Sequence, residues 1–396
     1  MRIRSRLKNV LKKVNIPSDL EVIRSNPPVV LNFSEEIKEY PAKKRALLSY
    51  LSQPVVDSLS GGTSVRFSND GLATSWPKVL NKLGYTVDII NWDDCDFKFR
   101  TDYDLVIGHG GINFENLKKQ LSPTSHFIYF STGSYWKYHN AKEKERFEYF
   151  KKRHGISLPN DRFIGHSEES ANKLASAIVC LGNEELAATF SSFKNVFSVP
   201  IGSFTTEYRK KTKGDLECGR KDILFIAGAG NIHKGLDLVL DALEYLPDFR
   251  LHIYTFMDSE FSNYYKDSLA QPNVILYDFE AFPSDKFFML SRKCNVAIMP
   301  SCSEGSPGSI VESMIQGLIP IVSHESHIDV DDFGVLLKDN TVETIRETLI
   351  NTSVLPIKEL RKRSLAAQKT ALSRHSKKSY EKSLLSVMRR IEVSLK

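Results

Sequence analysis

The residues best suited to chemistry in this sequence lie in one short stretch, PSCSEGSPGSIVE, at positions 300–312. It follows an apolar run, Val296–Met299, that predicts a buried strand. Ser306 and Pro307 are typical of the N-cap and the first position of a helix. The free N–H groups at such a helix start bind phosphate, and small residues let the phosphate approach closely. The N–H groups expected to do so belong to Gly308, Ser309 and Ile310.

Two glutamates bracket this helix start, with seven residues between them. An apolar face continues the helix at three- and four-residue spacing, and Gly317 fits just past its end. That face consists of Ile310, Val311, Met314, Ile315 and Leu318. Glu304 therefore lies in the loop before the helix, and Glu312 lies inside the helix.

Strand and helix patterns alternate along the chain, as in parallel sheets with crossover helices. The apolar runs are nearly continuous, which predicts strands buried on both faces. In the first half these strands are Ala46–Leu51, Thr86–Ile90, Leu105–Ile107, Phe127–Phe130, Ala177–Leu181 and Val196–Val199. In the second half they are Ile223–Ala227, Leu251–Tyr254, Val274–Tyr277, Val296–Met299 and Ile319–Val322. Two such domains in tandem leave a cleft at the carboxyl ends of their strands, where ligands bind in these folds.

The boundary between the domains is predicted at residues 201–222, a polar and basic segment with few large apolar residues. Residues 1–200 would form one Rossmann-like domain and residues 223–378 the other. The last segment, 379–396, predicts an amphipathic helix that must dock on the rest of the protein. Its apolar stripe consists of Tyr380, Leu384, Leu385, Met388, Ile391 and Leu395.

The composition is that of a globular protein, with 41% hydrophobic and 26% charged residues. No apolar run is long enough to span a bilayer, and the N-terminus lacks the apolar stretch of a secretory signal. The five cysteines form no CxxC motif and predict unpaired thiols in a reducing compartment. We therefore expect a cytoplasmic protein.

Residues 1–16 carry six cations and no acidic residue. Apolar side chains recur there at three- and four-residue spacing, which predicts a basic amphipathic segment that rests on an anionic membrane. Such contact would hold the protein peripherally at the inner face of the cell membrane. The alternatives are a stripe that packs on the first domain and a disordered basic tail.

The second half of the chain resembles the retaining GT-B glycosyltransferases of the GT4 type. Glu304 and Glu312 are similar to the EX7E signature of that family, and PSCSEGSPGSIVESMIQGLIPIVS resembles its PS…EG.P….E….G.P.V block. Upstream, ILFIAGAGNIHKGL at 223–236 resembles the family's strand, glycine loop and Lys-Gly segment. The resemblance implies an α/β GT-B fold, with two Rossmann-like domains facing across a cleft. The first domain would be the acceptor side, completed by the terminal helix, and the second would bind the donor.

The resemblance also implies roles for particular residues. Glu304 would bind hydroxyls of the transferred sugar, and Glu312 would hold the ribose of the nucleotide. Lys234 and the helix start would stabilise the negative charge that grows on the leaving diphosphate. The other donor-site positions implied by the motif are Gly305, Ser306, Pro307, Gly230 and Asn231, with Phe279 in the segment expected to contact the base.

The sequence departs from the family pattern at two points. Ala229 stands five residues before Lys234, where the family usually has Arg, so either the glycine-rich backbone or an Arg from elsewhere would replace that contact. The strand-end His of the family's first domain has no obvious counterpart. Thr132 and Gly133, which follow a predicted strand there, are candidate donor-binding residues, and His139 comes a little later.

Several first-half positions have two open interpretations. Gly61 and Gly62 belong either to a loop that approaches the donor phosphates or to a surface turn. His109, between glycines at the carboxyl end of a strand, is a candidate catalytic or acceptor-binding residue or a structural loop His, and the same holds for His139. Arg162 is interpreted as a surface cation in preference to a cleft cation.

The leading functional hypothesis is a retaining, metal-independent glycosyltransferase that uses no cofactor. It would move a sugar from a UDP- or GDP-sugar to a glycan or lipid-linked acceptor in cell-surface polysaccharide synthesis. A nucleotide-sugar epimerase or a phosphorylase of the same fold is the alternative. A nucleic-acid-binding protein is disfavoured, because the cations form one terminal cluster and no nucleic-acid motif occurs.

Overall fold

The computed structural model describes residues 20–23, 25–34, 44–61, 68–99, 101–166, 168–279 and 283–395. Its first sheet has eight strands in the order β1-β2-β4-β3-β5-β6-β7-β8. These are β1 (Glu21–Ile23), β2 (Val29–Phe33), β3 (Lys44–Tyr50), β4 (Tyr85–Asn91), β5 (Leu105–His109), β6 (His126–Ser131), β7 (Ala177–Leu181) and β8 (Val196–Val199). The strands from β3 to β8 run parallel, whereas β1 and β2 form an antiparallel edge.

The second sheet has six parallel strands in the order β11-β10-β9-β12-β13-β14. These are β9 (Asp222–Ile226), β10 (Arg250–Tyr254), β11 (Val274–Tyr277), β12 (Val296–Met299), β13 (Ile319–Val322) and β14 (Val335–Leu336). The strand order reverses at β9, between β10 and β12. Open α/β sheets bind ligands beyond the carboxyl ends of the strands at such a switch point.

Helices connect the strands of both sheets. In the first half they are α1 (Gln53–Leu59), α2 (Ser68–Lys82), α3 (Gly111–Gln120), α4 (Trp136–His154), α5 (Glu169–Leu174) and α6 (Glu184–Ala188). In the second half they are α7 (Lys213–Cys218), α8 (Leu236–Leu243), α9 (Ser259–Tyr264), α10 (Lys266–Leu269), α11 (Asp285–Lys293), α12 (Gly308–Ile315), α13 (Val342–Ser353), α14 (Ile357–Arg374) and α15 (Lys377–Ser394). No helix in the described ranges is long and apolar enough to cross a bilayer.

The predicted α/β architecture is confirmed, and each predicted strand lies within two residues of an observed one. The strands that the sequence did not predict are β1, β2 and β14. The outermost strands β1 and β14 have only three and two residues, and Asn32 interrupts the apolar run of β2, so none gives a long apolar run. The segment 201–222 contains α7, whose start is held by a capping box between Thr212 and Asp215.

The terminal helix α15 packs on α2 and β8 of the first sheet. Its side chains Tyr380, Leu384, Met388 and Ile391 are fully buried there. Near its end, Glu392 accepts hydrogen bonds from Tyr85 (2.9 Å) and Lys44 (3.0 Å) at the start of β4 and β3. Residues 1–16, for which we predict a membrane contact, lie outside the described residues.

Candidate functional site

Helix α12 begins directly beyond the switch point of the second sheet. Pro307 is its N-cap and Gly308 its first residue, so the predicted start, with Ser306 as the cap, is wrong by one position. Both polar groups of Ser306 bond outside the helix. Its N–H donates to the carbonyl of Leu181 (3.1 Å), and its hydroxyl donates to that of His327 (3.4 Å). The helix ends as predicted, with Gly317 at φ 78°.

Two N–H groups at this helix start are free for an anion, not three. Gly308 and Ser309 donate no backbone hydrogen bond to the part of the chain that the structure describes. Ile310, by contrast, donates to the carbonyl of Pro307 at 3.1 Å, so the prediction for Ile310 is wrong. The hydroxyl of Ser309 bonds the carbonyl of Ile226 (2.9 Å), which fixes the helix start to the end of β9.

A buried ion pair joins the two loops that follow β9 and β12. The ammonium of Lys234 donates to Glu304, and the hydroxyl of Ser301 donates to the same oxygen at 3.1 Å. The side chains of Lys234 and Glu304 are only 8% and 12% exposed. Burial alone would raise the pKa of Glu304, but the charges of Lys234, His233 and Arg162 lower it to about 2. The carboxylate is therefore ionised, and its charge is matched by the neighbouring ammonium.

Glu312 lies in the second turn of α12 and is a buried carboxylate with spare bonding capacity. Glu312 is 4% exposed, and its Oε2 has no hydrogen-bond partner among the residues that the structure describes. Burial raises its pKa, which Ser203, Thr205 and the N–H of Phe204 partly offset. A buried acceptor without a partner is costly unless a ligand donates to it.

The loop between Ser303 and Ser306 lies directly against the first domain. The hydroxyls of Ser303 and Ser134 are 2.5 Å apart. A Cβ atom on Gly305 would overlap the carbonyl of Thr132 and would lie 3.0 Å from that of Leu181. Gly305 therefore allows the two domains to approach each other, a role that no local pattern in the sequence indicates. Gly133 follows Thr132, and its position has open space around it.

Helix α4 of the first domain contacts the loops that follow β9 and β12. Arg146 donates to the carbonyls of Ile232 (3.1 Å) and Pro300 (2.7 Å), and Arg153 pairs with Asp237. Glu143 is fully buried beside Nδ1 of His233 at 3.1 Å. Burial would raise the pKa of Glu143, but hydrogen bonds from His139, His233 and the Arg162 N–H hold it at about 2.

The two histidines predicted for catalysis have structural partners. His139 is 7% exposed, its Nε2 donates to the carbonyl of Arg162 (2.9 Å), and its ring stacks on His233. Nδ1 of His109 donates to the carbonyl of Phe130 (2.9 Å), and burial lowers the pKa of this imidazole. Its ring packs between Tyr50, Trp92 and Phe130. These contacts hold both rings in place, and the catalytic roles of His109 and His139 remain predictions.

The loop after β9 is held by Asn231, which is 1% exposed. Its amide donates to the carbonyl of Phe256 (3.0 Å) and accepts from the N–H of Asp258 (2.8 Å). Both polar groups of the amide thus bond within the second domain, and the donor contact of Asn231 remains a prediction. Gly230 has φ 103°, a conformation that suits only glycine.

Two aromatic rings stand beyond the carboxyl ends of β10 and β11. Phe256 is 49% exposed, and its ring centroid lies 4.2 Å from that of Phe279. Phe279 was expected near the base, whereas Phe256 was missed because it follows its strand without any motif. Gly61, which was proposed near the phosphates, is exposed with φ 80°, and Gly62 lies outside the described residues.

One group of side chains has the donor types of a metal site. The ligand atoms of His139, Glu143 and His233 lie within 4.8 Å of one another. Nε2 of each imidazole also lies at hydrogen-bond distance from a backbone carbonyl, that of Arg162 for His139 (2.9 Å) and that of Ser303 for His233 (2.5 Å). Hydrogen bonds to the protein therefore satisfy this group, and its position between α4 and the loop after β9 joins the two domains.

Residues 208–364 match the family model described as glycosyl transferases group 1. No curated protein matches this chain in sequence. Among solved structures, sucrose-phosphate synthase from Thermosynechococcus elongatus is 12% identical with a TM-score of 0.62, over 88% of this chain and 99% of that one. HepE from Anabaena, solved with UDP and glucose, is 12% identical with a TM-score of 0.58, over 87% of this chain and 99% of HepE.

TarM, a protein of S. aureus, is 13% identical with a TM-score of 0.54. The match covers 72% of this chain and 54% of TarM, so this chain spans about half the length of that protein. At these identities the likenesses establish the fold, which is GT-B. The fold and the match over residues 208–364 together support a glycosyltransferase of the GT-B fold.

Proposed function

We propose that this protein is a retaining glycosyltransferase that transfers a sugar from a nucleotide-sugar donor. The observation that carries the proposal is the arrangement around α12. Three features lie at one switch point: the buried pair of Lys234 and Glu304, the free N–H groups of Gly308 and Ser309, and the Oε2 atom of Glu312, which has no partner among the described residues. A cation and two donors suit a diphosphate, and the two carboxylates suit hydroxyl groups on either side of it.

This arrangement supports the following reaction. The bond between the anomeric carbon and the diphosphate oxygen breaks, and the acceptor oxygen bonds to the anomeric carbon on the same face. The proton of the acceptor moves to the leaving diphosphate, so no separate protein base is required. Lys234 and the N–H groups of Gly308 and Ser309 stabilise the charge that develops on the leaving group. This assignment uses no metal, because these groups supply the positive charge.

The donor is proposed to be a UDP- or GDP-sugar. HepE was solved with UDP and with UDP-glucose, and TarM with UDP and α-GlcNAc-glycerol, which supports a nucleotide-sugar donor and a glycan acceptor. Phe256 and Phe279 offer rings that a base can stack on, and Glu312 offers the free oxygen that a ribose hydroxyl requires.

The acceptor is proposed to be a glycan or a lipid-linked sugar in cell-surface polysaccharide synthesis. The cations of residues 1–16 support this, since each can contribute about 1 kcal/mol near an anionic bilayer. A cytoplasmic protein held at the inner face of the membrane would meet a lipid-linked acceptor there.

A ligand screen tests the proposal. UDP-, GDP- and ADP-sugars are added to the wild type and to Glu312→Gln, and the midpoint of thermal unfolding is followed. A donor at 100 times its Kd should stabilise the wild type by about 2.7 kcal/mol. Glu312→Gln should bind the same donor more weakly, because the ribose loses a charged acceptor. If no nucleotide sugar stabilises the wild type, the proposed function is wrong.

A further inference from the structure

Arg162 is an unpaired cation that the first domain presents to the loop after β9. Arg162 is exposed to solvent, and its guanidinium makes no ion pair within the part of the chain that the structure describes. The stem of the side chain lies on Gly230 of the second domain. A Cβ atom at Gly230 would lie 2.5 Å from Cγ and 2.8 Å from Cδ of Arg162. The absence of a side chain at Gly230 therefore admits the arginine across the cleft.

The backbone of Arg162 is held by buried side chains of α4. Its N–H donates to Glu143 (2.9 Å), and its carbonyl accepts from His139 (2.9 Å). Two residues later, Ile164 exchanges hydrogen bonds with the amide of Asn140 at 2.9 and 3.0 Å. The backbone of Arg162 is thus fixed while its guanidinium makes no ion pair with the described residues. This arrangement is expected of a side chain that is preorganised for a ligand.

The segment that carries Arg162 also contacts the second domain directly. The preceding residue, Asp161, accepts a hydrogen bond from the N–H of Ile232 at 2.9 Å. Arg162 is among the charges that lower the pKa of Glu304, so its guanidinium acts on the same site as Lys234. This hydrogen bond and the packing of the arginine stem on Gly230 thus keep the arginine beside the loop that leads to Lys234.

The other charges at the site would neutralise a bound diphosphate only in part. Lys234 is already matched by Glu304, and the residues of the loop at 228–230 are uncharged. A departing diphosphate therefore meets one ammonium whose charge is shared with a carboxylate. Arginine, with its planar fork of donors, suits bidentate contact with phosphate.

We propose that Arg162 of the first domain contacts the diphosphate of the donor and completes the donor site across the domain boundary. This inference rests on the proposed function. It makes the donor site a product of both domains, assembled when the segment at 158–164 lies against the loop after β9. The residues His139, Glu143 and Asn140 then serve as positioning residues for this arginine.

The test is a titration of nucleoside diphosphates by calorimetry. UDP, GDP and ADP are titrated into the wild type, and the tightest of them is compared with its own nucleoside. Arg162→Gln should weaken the diphosphate by about ten- to a hundredfold, as expected for a lost charge-assisted hydrogen bond, and leave the nucleoside unchanged. The affinity of Arg162→Lys for the diphosphate should lie between those of the wild type and Arg162→Gln. Arg389→Gln removes the same type of exposed cation from α15 and should change neither affinity.

The outcomes separate the inference from the proposed function. If the wild type binds a diphosphate and Arg162→Gln binds it within twofold, this inference fails and the proposed function stands. If Arg162→Gln weakens the nucleoside as much as the diphosphate, the arginine does not act on the phosphates and the inference is overturned. If the wild type binds no nucleoside diphosphate, both are wrong.

Discussion

The ion pair between Lys234 and Glu304 allows a prediction with a magnitude. Its partners are nearly buried, and the pKa of Glu304 falls from an ordinary 4.5 to about 2. At 1.36 kcal/mol per pH unit, this difference corresponds to about 3 kcal/mol of stabilisation at neutral pH. Lys234→Met should cost about 3–5 kcal/mol of unfolding free energy, because it leaves a buried carboxylate without a partner. Lys234→Met combined with Glu304→Gln should lose much less than the sum of the single changes.

The assay is a double-mutant cycle from urea denaturation, followed by far-UV circular dichroism at pH 7. The coupling energy should be about 3 kcal/mol. The exposed pair of Lys213 and Glu217 on α7, with 70% and 50% exposure, serves as the control and should couple by less than about 1 kcal/mol. A coupling energy for Lys234 and Glu304 as small as that of the control would refute the reasoning, because it would mean that the pair is solvated.

The same pair fixes the sign of a pH effect. The folded-state pKa of Glu304 lies below its ordinary value, so its stabilisation is complete above pH 4.5 and is lost as the pH falls toward 2. The wild type should therefore lose about 3 kcal/mol more than Glu304→Gln between pH 5 and pH 2. Equal losses in the two proteins would contradict the assigned ion pair.

Further predictions concern catalysis, ligand binding and assembly. Lys234→Ala should lower kcat by about 10²–10³ with little change in the affinity for the nucleoside, and near-full turnover would exclude its diphosphate role. Activity should persist after dialysis against EDTA, and its loss with recovery on adding a divalent cation would contradict the metal-independent assignment. Truncation after Ser376 removes α15, exposes the apolar surface of α2 and should cause aggregation, which light scattering measures; a soluble, active truncation would contradict this packing. Deletion of residues 1–16 should abolish co-sedimentation with anionic vesicles, and salt should weaken the binding of the full chain; equal binding of both chains would end the membrane hypothesis.

Much of the fold follows from local pattern. Strands such as β7 and β12 are buried on both faces, so an uninterrupted apolar run marks their ends to the residue. The position of Glu304 before α12 and of Glu312 within it could likewise be derived, because the strand, the turn residues and Gly317 bound the helix on both sides.

The details that depend on the other domain could not be derived. Ser306 has a side chain typical of an N-cap, but its N–H donates to the carbonyl of Leu181 in the first domain. The helix therefore starts one residue later than predicted, with Pro307 as its N-cap. His139 was predicted from its place soon after a strand, whereas its contact with the carbonyl of Arg162 depends on a distant segment that no local pattern indicates. Arg162 was interpreted as a surface cation because nothing in the sequence indicates that it packs on Gly230. Such contacts join residues far apart in the chain and leave no local signal.

The central claim is that the site around α12 transfers a sugar with retention of configuration. The most direct test is an NMR spectrum of the product formed from a nucleotide sugar of known anomeric configuration and a glycan acceptor. The proposed geometry predicts that the coupling constant of the anomeric proton in the product matches the donor's configuration, with one nucleoside diphosphate released per bond formed. A product of inverted configuration would contradict the account, because it would require a protein base on the opposite face of the sugar.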